Sequence, residues 1–287
     1  MITYPNKVYL NGSFLDYQEA KISVFDRGFL FGDGVYEVMV QINGTRFYEK
    51  EHLKRLSRCL EKIQLNFKVK TLPEIVSKLL EVSGIYQSDC LIYIQVTRGV
   101  APRTHHFPEK LIPTVMLYAL PLKLPDINTM PYKIVLQEDH RWHRCDIKTI
   151  SLSGSVLAND EAISKGNNEA IFYRNGLITE GSHSNIFFVK DGIIYTHPAN
   201  EFILEGITRN IVIKLCMELN IPVRERAISK EEIPTMDEAF LTGTTTQIAF
   251  VRQVDEHFYY ENTEPQSVTA RLQQAYLKLK NDFKNDH

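Results

Sequence analysis

The sequence predicts an α+β protein of two domains, a smaller α/β domain over residues 1–122 and a larger one over 123–287. Three observations predict it. Strand-like apolar runs bounded by Asn-Gly or Asp-Gly turns occur in both halves, and apolar residues at helical spacing recur between them. Between the halves, Leu122-Lys123-Leu124-Pro125-Asp126 has the proline and polar residues of an interdomain connection. A chain of 287 residues, 44% of them hydrophobic, is long enough to bury a large core.

Residues 7–25 hold short apolar runs around Asn11-Gly12, the chemistry of a hairpin, and Lys21-Ile22-Ser23-Val24-Phe25 predicts a further strand. Asp26 to Glu37 carries three glycines and two aspartates and is expected to be a loop, with no dinucleotide fingerprint and no helix after it. Val35 to Val40 continues as a buried strand to the Asn43-Gly44 turn. Leu53, Leu56, Leu60 and Ile63 define one face of a helix over 51–65; Arg55, by default, is a charge on its solvated side. Thr71 and Pro73 open a second helix that Ser83-Gly84 closes. The strand Leu91–Thr97 delivers the loop 98–108, in which Arg103 and His105 are two residues apart. In an extended loop they would leave on the same side, as two donors gripping one carboxylate would; a polar surface loop is the competing reading.

After a strand from Pro113 to Leu122, the second half opens with a strand at 132–137 and a helix over 154–165 stopped by Gly166. Asn175-Gly176 and Asp191-Gly192 predict hairpins, leaving Glu180 at a strand end, where a carboxylate is ordinarily solvated. A helix starting within 202–210 and running to Leu219 would present the free N–H groups of Ile207 and Thr208 after Gly206, a start that suits a phosphate or ordinary capping. Ser229-Lys230-Glu231-Glu232 reads as a capping box. A strand at 239–241 leads into Thr242-Gly243-Thr244-Thr245-Thr246, a turn able to hold an anion, then a strand over 248–254 and a last helix beginning at Pro265.

Lys and Arg total 33 against 35 Asp and Glu, so a formal charge of -2 gives no electrostatic ground for nucleic acid or an anionic membrane as partner. No apolar run approaches the roughly 20 residues that span a bilayer, and no export signal opens the chain. Four scattered cysteines without CxxC indicate neither a metal site nor a disulfide framework. A cytoplasmic protein acting on small molecules is expected. The stretch Arg141-Trp142-His143-Arg144-Cys145-Asp146-Ile147-Lys148-Thr149 is where a lysine could be held for covalent work, although alone it equally describes a solvated surface lysine.

Six segments in order change that balance: DRGFLFGDGVYE at 26–37, EHLKRL at 51–56, CDIKTISL at 145–152, ITEGSHSNIFFV at 178–189, LEGITR at 204–209 and TGTTTQI at 242–248. Together they resemble the fold-type IV aminotransferases that depend on pyridoxal 5'-phosphate, over nearly the whole chain. The resemblance implies a larger C-terminal domain with a barrel-like sheet. It implies that Lys148 forms the Schiff base with the cofactor and moves the proton, using an amine that burial can keep unprotonated near neutral pH. Glu180 would face the pyridine nitrogen. Arg55, Ile207, Thr208, Gly243 and Thr244 would hold the phosphate, with Arg141, Ser182, Ser184 and Leu204 as further cofactor contacts. His183 departs from the small residues usual there.

VTRGVAPRTHHFPE at 96–109 is similar to the loop of D-amino acid aminotransferases. That likeness implies that Arg103 and His105, with Tyr36, trap the substrate α-carboxylate, and that a homodimer assembles the trap. The implied reaction moves an amino group between D-alanine-like amino acids and 2-oxo acids such as 2-oxoglutarate. Branched-chain L-amino acid aminotransferases and aminodeoxychorismate lyases are the alternatives.

Overall fold

The computed structural model describes residues 4–127, 131–259 and 267–283. They fall into two compact units: one runs to Lys123 and also takes Ile147–Ser151, the other takes Leu124–Asp146 and Leu152–Phe283.

In the first unit, β1 (Lys7–Leu10) and β2 (Ser13–Asp16) form the hairpin, with Asn11 and Gly12 supplying the positive φ that its turn requires. There follow α1 (Arg27–Phe31), β3 (Gly34–Ile42), β4 (Thr45–Arg46), α2 (Glu49–Lys62), α3 (Leu72–Val82), β5 (Cys90–Thr97) and β6 (Thr114–Pro121). The described strands pair antiparallel in the order β2-β1-β6-β5-β3-β4. Leu56, Leu60, Leu72 and Val76 from α2 and α3 bury against Ile92, Ile94 and Val96 of β5.

Two expectations fail here. Lys21–Phe25 is not a strand: Asp26 N–H donates to the Ser23 carbonyl and closes a turn, leaving Ile22, Val24 and Phe25 exposed. Asp26 then caps α1, its carboxylate accepting from Gly28 N–H at 2.8 Å, so the glycine-rich stretch contains a short helix before β3.

The second unit contains β7 (Tyr132–Glu138), α4 (Ser153–Ser164), β8 (Glu169–Arg174), β9 (Leu177–Gly181), β10 (Asn185–Lys190), β11 (Ile193–Thr196), α5 (Ile207–Glu218), β12 (Val223–Glu225), β13 (Glu238–Gly243), β14 (Gln247–Val254), β15 (His257–Phe258) and α6 (Val268–Asp282). The expected Pro265 start of the last helix lies outside the described residues. The sheet order is β12-β11-β10-β13-β14-β7-β8-β9, with β15 on β14. In a flat sheet β9 and β10 would lie about 24 Å apart, five strand spacings of roughly 4.8 Å. Yet only Ser182, His183 and Ser184 join them, and such a link spans at most about 14 Å. The sheet therefore curls on itself, as the barrel-like expectation required, and the joining turn becomes a seam. Ser229 and Glu232 complete the capping box, which opens a 3₁₀ turn.

Candidate active site

The segment Ile147–Ser151 lies beside β3 of its own unit. Tyr36 N–H donates to the Lys148 carbonyl at 3.0 Å, Ile150 N–H to the Gly34 carbonyl at 3.1 Å, and Val35 bridges Thr149 antiparallel. The Lys148 N–H points at Cys59 Sγ, 3.3 Å away. This clip fixes the half-buried side chain, whose Nζ stands 4.2 Å from the centre of the Tyr36 ring. Among the described residues Lys148 has no carboxylate partner. The structure thus brings together Tyr36 and Lys148, two of the residues singled out from sequence.

Arg55 is not a solvated face charge: it is 4% exposed. Its Nε and Nη2 grip the two oxygens of Glu37 at 2.9 and 2.6 Å, and His52 Nδ1 lies 3.0 Å from the same carboxylate. Burial alone would raise the Glu37 carboxyl, but Arg55 and His52 outweigh it and hold it well below the usual range. Burial pushes His52 down even beside that anion.

Glu180 in the second unit is likewise buried. Its Oε1 accepts from Arg141 Nη1 at 3.0 Å; its Oε2 accepts from Leu204 N–H at 2.8 Å and Asn185 Nδ2 at 3.4 Å. Arg141 is anchored in turn by Asp139, at 3.0 and 2.9 Å, and lies over the Phe172 ring. Burial raises Glu180 to about 7, Arg141 opposing.

The start of α5 has no side-chain cap and no acid in its first turn, and Ile207 and Thr208 are buried there. A Cβ at Gly206 would run into Asn185 Oδ1, so the chain reaches this helix start past an obstructed position. Gly243 and Thr244 form the turn out of β13, with the Gly243–Gln247 pair closing it. Thr242, just before, is buried with Oγ1 unpartnered. At the seam, Glu169 Oε1 accepts from Ser184 Oγ at 2.9 Å, Ser182 Oγ at 3.4 Å and His183 N–H at 3.0 Å. The His183 side chain is about half exposed, with its Nδ1 3.0 Å from Ser182 Oγ and 3.4 Å from Glu169 Oε1, so its size is accommodated toward solvent while one ring edge joins this packing.

The loop holding Arg103 and His105 is not extended. Thr104 N–H turns back onto the Pro102 carbonyl at 2.8 Å, yet both side chains converge: Arg103 lies 5.1 Å from the Phe31 ring centre and the His105 ring 5.7 Å from it. Arg103 has no acid partner among the described residues. Arg98, by contrast, is spent on Asp33 and the carbonyls of Ile63 and Gln64.

Glu37, Asp139 and Glu169 were missed from sequence. Glu37 and Glu169 carried a signal, an acid at the edge of or inside a buried apolar run, which demands a partner. No group of His, Cys, Asp and Glu among the described residues could hold a metal ion.

The amino-transferase class IV family matches residues 34–254. A D-alanine aminotransferase of Staphylococcus epidermidis is 38% identical over 277 residues, covering 95% of this chain and 97% of that protein. One from Bacillus licheniformis is 39% identical over 251 residues, 87% of this chain and 88% of the relative. Among solved structures, the branched-chain aminotransferase of Thermoproteus uzoniensis with norvaline superposes with a TM-score of 0.85 at 27% identity, covering 96% of this chain and 94% of that one.

Proposed function

The chain belongs to the class IV aminotransferases, and on that premise we propose that it exchanges amino groups between D-amino acids, D-alanine among them, and 2-oxo acids such as 2-oxoglutarate. The observation that carries this reading is Lys148, an amine without an acid partner among the described residues, held by its backbone against β3 and lying over Tyr36. A lysine kept only for solubility has no need of such a clip.

Class IV aminotransferases use pyridoxal 5'-phosphate, and the donors present suit that group. The buried Glu180 carboxylate matches a pyridine nitrogen, and the uncapped N–H groups of Ile207 and Thr208 match a phosphate. Gly243, Thr244 and Arg55 are the further phosphate donors proposed, with Ser184, Leu204 and Arg141 lining the cofactor. Leu204 and Arg141 would act largely by seating Glu180. When bound, the cofactor supplies an electron sink next to the reacting carbon. Lys148 Nζ would attach it and then carry the proton to and from the substrate Cα. Arg103 and His105, with Tyr36, would hold the substrate carboxylate, and so decide which enantiomer presents its Cα hydrogen to Lys148.

Relatives at 38–39% identity across most of the chain support the D-specific reading over the branched-chain one, whose named example stands at 27%. A cytoplasmic homodimer belongs to the same proposal: Val24, Phe29 and Ile112 expose apolar surface that a second copy would cover. The test is a panel of D- and L-amino acids with 2-oxoglutarate. Turnover of D-alanine is expected; turnover confined to L-leucine and its kin would sink the assignment.

A further inference from the structure

Arg103 and His105 sit on a loop whose shape is set by a neighbour that takes no part in gripping a carboxylate. Arg27, buried at the start of α1, donates from Nη1 to the Thr104 carbonyl at 2.6 Å, at the residue between the two. Its Nε is held at 2.8 Å by Asp33, whose Oδ2 also takes Arg98 Nε at 2.8 Å. The Arg27 guanidinium lies 4.7 Å from the centre of Phe31, the ring against which Arg103 and His105 rest. At the loop's other shoulder Arg98 stacks on Phe107 at 3.6 Å, and a Cβ at Gly99 would collide with the Ile112 carbonyl, so the ends of the loop are closed tightly. The middle of the loop is thus tied to α1, while Arg103 and His105 remain exposed and, among the described residues, without acid partners.

We propose that Arg27 and Phe31 are positioning residues for carboxylate recognition: Arg27 holds the Thr104 carbonyl, Phe31 carries the two donor side chains, and together they set the angle between Arg103 and His105. This rests on the reading of Arg103 and His105 as the carboxylate grip. A bidentate grip gains from donors already aligned, because the cost of ordering them is met before substrate arrives. Loosening the brace should therefore weaken substrate capture and leave the proton transfer at Lys148 largely alone.

The experiment is steady-state kinetics of the cofactor-loaded enzyme with D-alanine for Arg103→Ala, Arg27→Lys, Phe31→Leu and the Phe31→Leu/Arg103→Ala double variant. Phe31→Leu and Arg27→Lys should each raise KM about five- to tenfold with kcat within about twofold. If Phe31 acts through Arg103 and His105, removing Arg103 leaves it only His105 to position, so the double variant should exceed the KM of Arg103→Ala by clearly less than the roughly five- to tenfold that Phe31→Leu costs alone. Unchanged KM in Phe31→Leu, or losses that multiply in the double variant, would overturn the proposal while leaving the grip intact. An Arg103→Ala enzyme with unchanged KM would instead remove the grip itself. Should Arg27→Lys fail to fold, Phe31→Leu, which cuts no hydrogen bond, decides alone.

Discussion

Arg141 and Glu180 form a buried ion pair at 3.0 Å in which the guanidinium is already committed to Asp139. Arg141 is divided between Glu180 and Asp139, which Arg174 also reaches at 3.1 Å, and burial raises Glu180 to about 7 from the ordinary 4.5. An acid that binds its proton more tightly when folded makes the protein lose stability as pH rises from about 4.5 to about 7, the ionised form being the costly one. Glu180→Gln removes that loss while Arg141 keeps Asp139. By urea unfolding of the cofactor-free proteins, the variant should match the parent at about pH 4 and exceed it at pH 8 by roughly 1–3 kcal/mol. A parent more stable than the variant at pH 8 would contradict this account.

Glu37 and Arg55 are coupled differently, through two parallel bonds between two buried side chains. Arg55→Ala strands a buried anion with no guanidinium beside it, His52 and the Val38 N–H being left as its described contacts, and should cost about 3–5 kcal/mol. Arg55→Lys, a point donor that cannot span both oxygens, should fall between. Replacing both partners by Leu should recover part of the loss. A double variant as unstable as the sum of the single replacements would mean that the pair's charges are not what stabilises this packing.

The contrast between these two acids also explains what could be read in the sequence. The hairpins at Asn11-Gly12, Asn175-Gly176 and Asp191-Gly192 were legible because a turn's positive φ is a local demand. For Glu180 the local pattern shows only a strand-end carboxylate, ordinarily solvated, and the resemblance alone singled it out, since its burial depends on Leu204 N–H and on the seam that curls the sheet, neither of them local. Lys148 could be singled out by resemblance, but its clip to β3 joins residues more than a hundred apart. Strands β12 and β15, three and two residues long, are too short to carry a period. Lys21–Phe25 has the polar–apolar alternation of a strand, but no described strand pairs with it and all five residues stay exposed, which the segment's own sequence does not reveal.

Gly206 tests the start of α5. Its φ of -70° is open to any residue, so only the collision with Asn185 Oδ1 forbids a side chain. Asn185 Nδ2 holds the Leu204 carbonyl at 2.9 Å and reaches Glu180, so displacing that amide should disturb the Glu180 seat. Gly206→Ala is expected to cost about 1–3 kcal/mol. Pyridoxal phosphate, titrated into the cofactor-free variant and followed by absorbance, should bind about tenfold more weakly, a loss near 1.4 kcal/mol. Unchanged affinity with lowered stability would confine Gly206 to packing.

Lys148→Ala separates chemistry from fold. Nζ makes no ion pair among the described residues, and what the side chain gives the folded state is contact with the Tyr36 ring, worth about 0.5–1 kcal/mol. The backbone clip to β3 needs no side chain at 148, so the variant should fold and melt within about 4–5 °C of the parent. Turnover should nevertheless fall at least about a thousandfold, because a positioned acid–base group alone contributes about 10²–10⁴. Borohydride reduction and peptide mass analysis should fix cofactor to the peptide containing Lys148 in the parent and to none in the variant, and added methylamine should restore part of the rate. A variant that turned over within tenfold of the parent would place the reacting amine elsewhere, since no local rearrangement could hide the loss of the only nitrogen this clip presents.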